Sequence, residues 1–596
     1  MCGFIASFGQ NMSHNDFYDA MDHLKRRGPD AEGVWNEKDV FFGSTRLAIF
    51  DLNERSNQPM SSICNNYILV FNGSIYNYKD LRQYLLDKGV KLKTFSDTEV
   101  ILELFILEGP TMLKKLKGMF AFVIWDKIKK QAFAARDPYG IKPLYIGLNN
   151  KGLILASQVK TLLYTKQFNN EKDLYSKFSF ENFGYIIEPH TWFDNIKSLK
   201  SGHYIIIKEN KIVVDQKWYE IEQLWINADK NVKNFNKIEQ FKIIKNAITE
   251  TVQRHLVADV PIGIFMSGGI DSTLLAALVS GHTKKDITAI TILFDDFRNT
   301  ENDETLVAKK VCEKLGINHF VYKVTKKDFY KDLPKILDAM DQPTLDGINT
   351  WYASKAASEL NLKVVFSGLG GDEIFFGYDH FKKIPLLFFI LKILNKIPFS
   401  IFIIKTILHF VSIIKKDFRW NFLLKYKNSI LKLWFLKRSI NKTRNSKNLL
   451  NENELHISDF FREYLNEKFE FDFQNPKIHL SLLDSLFYMR NQLLRDSDWA
   501  SMYHGIELRT PFVDIQLIEK LKDVMNNYSI YENKKVLKLI FNSILPEEVF
   551  NKKKIGFNTP VKEWYQEYLN SHIKDPKKYM YEYIKEIKKS FENYKQ

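Results

Sequence analysis

Two different rhythms of apolar residues run along the chain. Residues 1 to about 205 hold short apolar runs separated by turns, such as FIASFG, VFFGSTRLAI, YILVFNGSI, GMFAFVIWD and GLILAS. Such runs are typical of strands, and helices are predicted between them at 80–89 and 98–108. Residues 1–205 are therefore predicted to form an α+β domain with largely antiparallel sheet. Residues 206–240 are mixed and charged and are predicted to be a linker.

From about residue 241 strand and helix patterns alternate. VPIGIFM, ITAITILF, HFVYKV and KVVFSG predict strands, and the segments between them predict helices. This alternation is typical of a parallel sheet that helices cover on both faces. We expect residues 241–596 to form a doubly wound α/β domain whose chain becomes largely helical after about residue 380.

The most apolar stretch, residues 384–414, reads IPLLFFILKILNKIPFSIFIIKTILHFVSII. Lysines interrupt it, so no part reaches the roughly 18–20 uncharged residues of a membrane-spanning helix. Two or three helices packed in a core are the favoured interpretation. The alternative is an interfacial helix at a membrane surface, because aromatic and basic residues alternate there.

Composition narrows the class of protein only slightly. The chain has 596 residues, of which 45% are hydrophobic and 26% charged, and its net charge of +15 is weak evidence for a polyanionic partner over this length. No nucleic-acid partner is expected. The three cysteines, Cys2, Cys64 and Cys312, are too few and too scattered for a disulfide framework or a zinc site. They favour a reducing cytoplasm, as does the absence of a basic leader before the first apolar run.

Cys2 is the first candidate for chemistry. If the initiator methionine is removed, Cys2 carries a free α-amine beside its thiol, and the amine can take the thiol proton without a distant histidine. The alternative is a small buried residue with no chemical role. Taken alone, Cys2 does not decide between them.

The segments that follow Cys2 carry a family resemblance. In order they are MCGFIASFG, RRGPD, RLAIFDL, FNGSIYNY, FSDTEV, GMFAFVIWD and ARDPYGIKPLY. This series resembles the class II glutamine amidotransferases, whose glutaminase domain is an Ntn-hydrolase sandwich of αββα layers. The resemblance implies that Cys2 is a nucleophile that forms a glutamyl thioester and releases ammonia.

The same resemblance implies roles for four further residues. Arg46 is expected to hold the glutamine α-carboxylate, and Asn72 with the backbone N–H of Gly73 to form the oxyanion hole. Asp97 is expected to pair with the α-ammonium. Their alternatives are an ion pair for Arg46, a hairpin turn for the NG dipeptide and a helix N-cap for Asp97. The family usually reads NGEIYN, whereas this chain has Ser74, so the ammonium is expected to rely mainly on Asp97.

A second motif lies between a predicted strand and a predicted helix. SGGIDS, residues 267–272, offers glycines for close backbone approach, a helix N-terminus and hydroxyls, all of which suit phosphate. No GxxxxGK[ST] is present. The loop resembles that of the N-type ATP pyrophosphatases. The expected ATP-binding residues are Met266, Ser267, Gly268, Gly269, Asp271, Ser272, Ile292, Ser367 and Gly368.

A later loop, VVFSGLGGDEIFFGY, follows another strand. Because the carboxyl ends of parallel strands meet in one crevice, Asp372 is expected to face Asp271, and the pair to hold Mg²⁺ on the triphosphate. Met266 and Ile292 are expected to contact adenine, with plain strand core as the alternative.

Two C-terminal segments, LLRDSDWASMYHGIELRTPFVD and NKKKIGFNTPVKEW, resemble those of asparagine synthetases. The K-x-G-F pattern carries over onto Lys554 as the lysine that neutralises pyrophosphate. The resemblance implies an ATP-dependent ligase that amidates a carboxylate through an acyl-adenylate, with ammonia crossing an apolar channel between the domains. Glutamine, ATP and a carboxylate are the expected partners, and a homodimer is a further expectation.

The acceptor is left open. Aspartate follows from the family, but asparagine synthetases often carry an acid where this chain has Leu369. In this respect the chain resembles the asparagine synthetase-related enzymes of polysaccharide gene clusters. A sugar uronic acid is the alternative acceptor. A non-catalytic scaffold or an anionic-surface binding protein is the alternative of a different class.

Overall fold

The structure is a computed structural model. It describes residues 2–9, 12–169, 171–231, 233–283, 287–394, 396, 400–415, 417–424, 428–440, 471–531, 533–551, 559–568 and 587.

The N-terminal part contains two six-stranded antiparallel sheets. The first has the order β10-β8-β9-β1-β3-β2 and the second β12-β11-β7-β6-β5-β4. The strands are β1 Cys2–Phe8, β2 Ala31–Glu37, β3 Val40–Arg46, β4 Met60–Ser61, β5 Tyr67–Ile75, β6 Gly118–Asp126, β7 Gln131–Arg136, β8 Tyr145–Asn149, β9 Gly152–Ala156, β10 Ile196–Ser198, β11 His203–Lys208 and β12 Lys211–Lys217.

Apolar side chains from both sheets meet in one core layer. Phe4 and Phe8 of β1 and Val70 of β5 belong to this layer. Helices cover the outer faces: His14–Leu24 packs on β1 and β3, and Asp97–Glu108 packs on β5. The other helices here are Tyr78–Asp87, Val159–Tyr164 and Leu174–Phe183. The predicted αββα sandwich is therefore confirmed.

The second sheet extends past the predicted end of the first domain. β11 runs across residue 205, and β12 continues the sheet to Lys217. The start of the predicted linker 206–240 thus consists of strand. β12 is an edge strand with mostly exposed side chains, which explains why its sequence is charged and lacks a strand pattern.

The second half is built on a five-stranded parallel sheet of order β15-β14-β13-β16-β17. Its strands are β13 Ile262–Phe265, β14 Ile287–Phe294, β15 Asn318–Val324, β16 Val364–Phe366 and β17 Glu507–Arg509. The chain moves outward from β13 to β15 and then returns to β16, so the order reverses between β13 and β16. Ligand sites in such sheets lie at the carboxyl ends of the strands at this reversal. The predicted doubly wound α/β sheet is confirmed.

Helices surround this sheet and make up most of the remaining regular structure of the described chain. They are Glu222–Lys230, Lys237–His255, Ile270–His282, Thr305–Leu315, Lys326–Ala339, Ile348–Glu359, Gly371–Ile374, His380–Leu394, Ser400–Ile414, Ile430–Arg438, Pro476–Leu483, Arg495–Met502, Ile515–Leu521, Met525–Tyr528, Lys535–Ile540, Glu547–Asn551 and Val561–Tyr568. A π-helical segment, Asp484–Leu494, joins two of them into one continuous rod.

The apolar stretch 384–414 forms parts of two helices, His380–Leu394 and Ser400–Ile414. Among the described residues, no helix is both long enough and apolar enough to cross a membrane. The prediction of helices is confirmed, but many of their large apolar side chains are exposed rather than packed in a core.

Candidate active sites

Cys2 is buried at the start of β1, a central strand between β3 and β9. Gln58 Nε2 lies 3.5 Å from the Cys2 sulfur. The other end of this amide is fixed, because Gln58 Oε1 accepts a hydrogen bond from Phe71 N at 2.6 Å. A fixed amide N–H group therefore faces the sulfur of the candidate nucleophile. No sequence motif pointed to Gln58, which lies 56 residues from Cys2.

Asn72 lies beside the cysteine within β5, so the NG dipeptide is part of a strand and not a hairpin turn. In one orientation of its amide, Asn72 Oδ1 accepts from Cys2 N at 3.3 Å. In the other, Nδ2 donates to the Cys2 carbonyl oxygen at 2.9 Å and Oδ1 accepts from Arg27 at 3.3 Å. A Cβ on Gly73 would approach Phe120 Cα to 2.8 Å, so only glycine fits between the strands. The structure thus brings Asn72 and Gly73 next to the candidate nucleophile.

Arg46 lies opposite Cys2 in the β1–β3 pairing. Its guanidinium donates to the carbonyl oxygens of Phe50, Asp51 and Asn53 and to Asn57 Oδ1, at 2.6–3.1 Å. These four bonds use all four terminal N–H groups of the guanidinium. Arg46 therefore holds the loop at 50–57, and a glutamine carboxylate would have to replace some of these carbonyl oxygens.

Asp97 is buried at the first position of the helix Asp97–Glu108. Its Oδ2 accepts from Ile75 N at 3.0 Å, directly after Ser74 in the chain. The helix N-cap is Ser96, whose side chain accepts from Thr98 N, so Asp97 is not the cap. Burial raises the pKa of Asp97 to about 6.

Ser74 bonds to a carboxylate from the other half of the chain. Its Oγ donates to Glu507 Oε2 at 2.7 Å, across 433 residues of sequence. Glu507 begins β17 and also accepts from Arg509 Nε at 2.5 Å. Burial alone would raise the pKa of Glu507, but Arg509 and the Ser74 hydroxyl hold it below its usual value. An ionised acid thus stands next to the position where the family motif has glutamate.

A buried ion cluster joins the two halves beside this site. Arg27 makes two hydrogen bonds to Asp498, at 2.8 and 3.2 Å, and Lys142 Nζ donates to the same carboxylate at 3.2 Å. All three side chains are buried. A cavity next to the cluster is lined by residues of both halves, including Gln158 and Trp499. Its lining combines charged residues such as Arg136 and Glu188 with apolar ones such as Ile141 and Ile186. The apolar ammonia channel stays a prediction.

The loop Met266–Gly269 links β13 to the helix Ile270–His282, as the motif predicts. Ser267 Oγ and Ser272 Oγ lie 3.1 Å apart and fasten the two ends of the loop together. Gly268 has a φ of +65°, a conformation that L side chains rarely adopt, and Gly269 is the helix N-cap without a side-chain cap bond. A helix N-terminus behind such a loop binds phosphate well.

Asp271 and Asp372 lie at one place, as predicted, but a lysine stands between them. Lys534 Nζ pairs with Asp271 and lies 2.6 Å from Asp372 Oδ1. Burial alone would lower the pKa of Lys534, but the two carboxylates raise it above its usual value, so the ammonium stays charged. Lys534 has a φ of +59° just before the helix Lys535–Ile540. The sequence around Lys534 did not predict this contact, because an NKK run usually lies on a solvent-exposed face.

Two glycines let the two acidic loops touch. A Cβ on Gly368 would lie 2.7 Å from Asp271 Cβ, and a Cβ on Gly371 would lie 2.6 Å from Asp271 Oδ1. Ser367 lies in the same loop and donates its N–H to the Arg509 carbonyl oxygen at 2.8 Å. The residues expected to line the nucleotide therefore come together around Asp271.

The predicted adenine contacts are less closely grouped. Met266 is buried in the largest apolar cluster, whereas half-buried Ile292 packs against two smaller clusters. Their role stays a prediction. Lys554 lies outside the described residues.

Comparison with known proteins shows the family to which the chain belongs. Residues 1–219 match the family model for a glutamine amidotransferase domain, and residues 244–586 match the model for asparagine synthase. The chain belongs to the asparagine synthase family. A Bacillus subtilis asparagine synthetase [glutamine-hydrolyzing] 1 is 30% identical over 96% of this chain and 89% of its own length. A Mycobacterium tuberculosis putative asparagine synthetase is 30% identical over 91% of this chain and 84% of its own.

One solved structure, a glutamine phosphoribosylpyrophosphate amidotransferase from B. subtilis, covers 54% of this chain and 65% of its own, with 16% identity and a TM-score of 0.29. As an asparagine synthase family member, the protein is a carbon–nitrogen ligase that performs asparagine synthetase-type, glutamine-dependent amidation. Glutamine and ATP as substrates follow from the family.

Proposed function

We propose that this enzyme activates a carboxylate with ATP as an acyl-adenylate and then amidates it with ammonia released at Cys2. The observation that carries this proposal is the meeting of two acidic, glycine-rich loops around Asp271 at the reversal point of the parallel sheet, with Lys534 between their carboxylates. Strand ends at such a reversal are where nucleotides bind.

The proposed glutamine site uses residues from both halves of the chain. After removal of the initiator methionine, the Cys2 amine takes the thiol proton and the sulfur attacks the glutamine amide carbon. The C–N bond then breaks as the amine returns the proton to the leaving ammonia, and water hydrolyses the glutamyl thioester to glutamate and the free thiol. Asn72 and Gly73 N–H stabilise the oxyanion, and Gln58 steadies the thiolate. The ammonium of glutamine pairs with Asp97 and with Glu507, which stands in for the acid missing at Ser74.

Arg46 is the proposed partner of the glutamine α-carboxylate. Its four carbonyl and amide contacts are neutral, and a charged carboxylate forms stronger hydrogen bonds with guanidinium. Binding of glutamine therefore involves a shift of the loop at 50–57 that frees some N–H groups of the Arg46 guanidinium.

In the second step the acceptor carboxylate oxygen bonds to the ATP α-phosphorus while the bond to the β-phosphate oxygen breaks and pyrophosphate leaves. Ammonia then attacks the acyl carbon, AMP leaves, and the products are the amide, AMP and pyrophosphate. The loop hydroxyls of Ser267 and Ser272 and the helix N-terminus at Gly269 bind phosphate oxygens. Lys534 and Lys554 are the lysines that neutralise the leaving pyrophosphate.

Mg²⁺ is part of the proposal, and the residues fit it. Asp271 and Asp372 already converge on one cation, the Lys534 ammonium. Protein-bound Mg²⁺ commonly takes one or two carboxylates and completes its coordination with phosphate and water. When bound, the ion would neutralise charge on the triphosphate, and Lys534 would share the two carboxylates with it.

Aspartate is the proposed acceptor, supported by relatives that bear the name asparagine synthetase. One observation favours another carboxylate, such as a sugar uronic acid. Leu369, in the loop before Asp372, packs against the apolar core and offers no acid for an amino-acid ammonium. We further propose a cytoplasmic location, where Cys2 stays reduced. The homodimer stays a prediction.

Pyrophosphate release tests the proposal. Wild type and Cys2→Ala are assayed with ATP, Mg²⁺ and either glutamine or ammonia, with aspartate or a panel of uronic acids. We expect the variant to lose glutamine-driven release and keep ammonia-driven release. Pyrophosphate release with aspartate identifies an asparagine synthetase. Pyrophosphate release only with another carboxylate supports the same chemistry with a different acceptor. No release with any acceptor would overturn the proposal in favour of a non-catalytic protein.

A further inference from the structure

The helix His380–Leu394 has two apolar faces. One is buried and contains His380, Ile384 and Leu391. The other consists of large apolar side chains that are 42–60% exposed and follow the i, i+3, i+4, i+7 spacing of a single stripe: Leu386, Phe389, Ile390 and Ile393. A surface helix normally has polar residues on the side opposite its buried face. This helix therefore presents an apolar stripe to its surroundings.

The next helix, Ser400–Ile414, repeats the feature. Its exposed large apolar residues are Ile407, Phe410, Ile413 and Ile414, with exposed fractions of 52–78%. Large apolar side chains that are exposed in such stripes generally mark a site that binds a protein or a membrane. We call these eight residues, with the lysines described next, the lysine-rimmed surface.

The charge around the two stripes is mainly positive, and the nearest acids, Asp379 and Asp417, pair with Lys383 and Arg419. Residues 380–416 contain seven lysines, Lys382, Lys383, Lys392, Lys396, Lys405, Lys415 and Lys416, and no Asp or Glu. The first six are exposed. Further charges lie close by, since Lys383, Arg419, Arg438 and the single anion Asp379 all act on the ammonium of Lys437. The surface is therefore both apolar and strongly cationic.

We propose that the lysine-rimmed surface docks the enzyme onto an anionic phospholipid bilayer without crossing it. Amphipathic helices with lysine and large apolar side chains lie in the plane of the interface, with the apolar face among the acyl chains and the ammonium groups at the lipid phosphates. Each lysine near an anionic leaflet strengthens binding. Neither helix is long and apolar enough to span the membrane, so the contact is peripheral.

A second copy of the chain fits this surface less well. A twofold dimer places the same patch on both partners. Its lysines would then face the same lysines, while the nearest acids, Asp379 and Asp417, already pair with Lys383 and Arg419. Like charges across an interface oppose binding. An anionic bilayer instead offers charges of the opposite sign together with an apolar interior.

Vesicle flotation of the full-length protein tests the proposal. The vesicles are phosphatidylcholine with or without phosphatidylglycerol. We expect binding only with phosphatidylglycerol, and weaker binding as salt is raised. Lys382→Gln, Lys392→Gln and Lys405→Gln together should weaken it roughly a hundredfold, at about fivefold for each lysine. Phe389→Ser with Phe410→Ser should weaken it at least about tenfold.

Control variants change exposed apolar residues and exposed lysines elsewhere. Ile128→Ser with Ile238→Ser, and Lys91→Gln, Lys211→Gln and Lys245→Gln together, should bind vesicles as wild type does. Glutamate release from glutamine should be unchanged in every variant, which shows that each is folded. Three results would overturn the proposal: no vesicle binding by wild type, equal loss in the control variants, or a dimer that Phe389→Ser with Phe410→Ser dissociates while vesicles bind neither form.

Discussion

At the scale of single residues, Asp97 is a carboxylate whose burial raises its pKa to about 6. Below that pH it is mostly protonated, and only its ionised form pairs with the glutamine ammonium. We therefore expect the KM for glutamine to fall as the pH rises toward the pKa, about tenfold for each pH unit, and to level off above it. Rates of glutamate release from about pH 5 to about pH 8 measure this. Asp97→Asn should have a high KM for glutamine that does not change with pH. A wild-type KM that is independent of pH would contradict the proposed pairing of Asp97 with the glutamine ammonium.

Glu507 is expected to supply the acid that Ser74 does not. Glu507→Gln should raise the KM for glutamine about tenfold or more, since a hydrogen bond to a charged group is lost. The KM for glutaramate, which lacks the α-ammonium, should not change. Glu507→Gln with Ser74→Glu returns the acid to the family position and should restore most glutamine affinity. Equal losses for glutamine and glutaramate would instead assign Glu507 a purely structural role.

Lys534 is expected to act on the nucleotide. Lys534→Met keeps the length of the side chain but leaves Asp271 and Asp372 without their shared cation. Ammonia-driven pyrophosphate release should fall by about a hundredfold, as for loss of one electrostatic contact to the reacting group. Glutamate release should persist. Lys535→Met, at the exposed neighbour, serves as the control, and equal activity of the two variants would contradict the role.

At the scale of elements, the contact between the two acidic loops depends on a missing Cβ. Gly371→Ala places a methyl group 2.6 Å from Asp271 Oδ1, so one loop must move. We expect ammonia-driven pyrophosphate release to fall by at least about tenfold, because small displacements at a reacting centre are costly. Gly281→Ala is the control, since a Cβ there meets nothing within 4 Å. Normal release by Gly371→Ala would show that the contact is not needed.

At the scale of the whole molecule, the cluster of Arg27, Lys142 and Asp498 couples the two halves. Asp498→Asn leaves two buried cations without their counter-charge, which should lower the free energy of unfolding by about 3–5 kcal/mol. Thermal unfolding measures this. Asp379→Asn removes an exposed partner of Lys383 and should cost under about 1 kcal/mol. Similar losses in the two variants would contradict a special role for the buried cluster.

The sequence by itself determined the antiparallel first half and the parallel sheet of the second half, most of their strands and the loops that carry chemistry. Strand and helix periodicity is a local property, so it could be read for β5 or β13 without knowing their neighbours. SGGIDS and the NG dipeptide are contiguous, and their order along the chain carried the family resemblance. β12 was missed because an exposed edge strand has no alternation of apolar and polar residues.

Only the tertiary structure decided which distant residues complete the sites. Gln58 reaches Cys2 across 56 residues, Lys534 reaches Asp271 across 263, Glu507 reaches Ser74 across 433, and Arg27 reaches Asp498 across 471. No local pattern encodes these partners, because the sequence around a charged residue looks the same whether its side chain lies on the surface or in a buried ion pair. The surface charge and the buried charge differ only after folding. A buried charge has lost its hydration, so its free energy depends on the partner that lies within hydrogen-bonding distance.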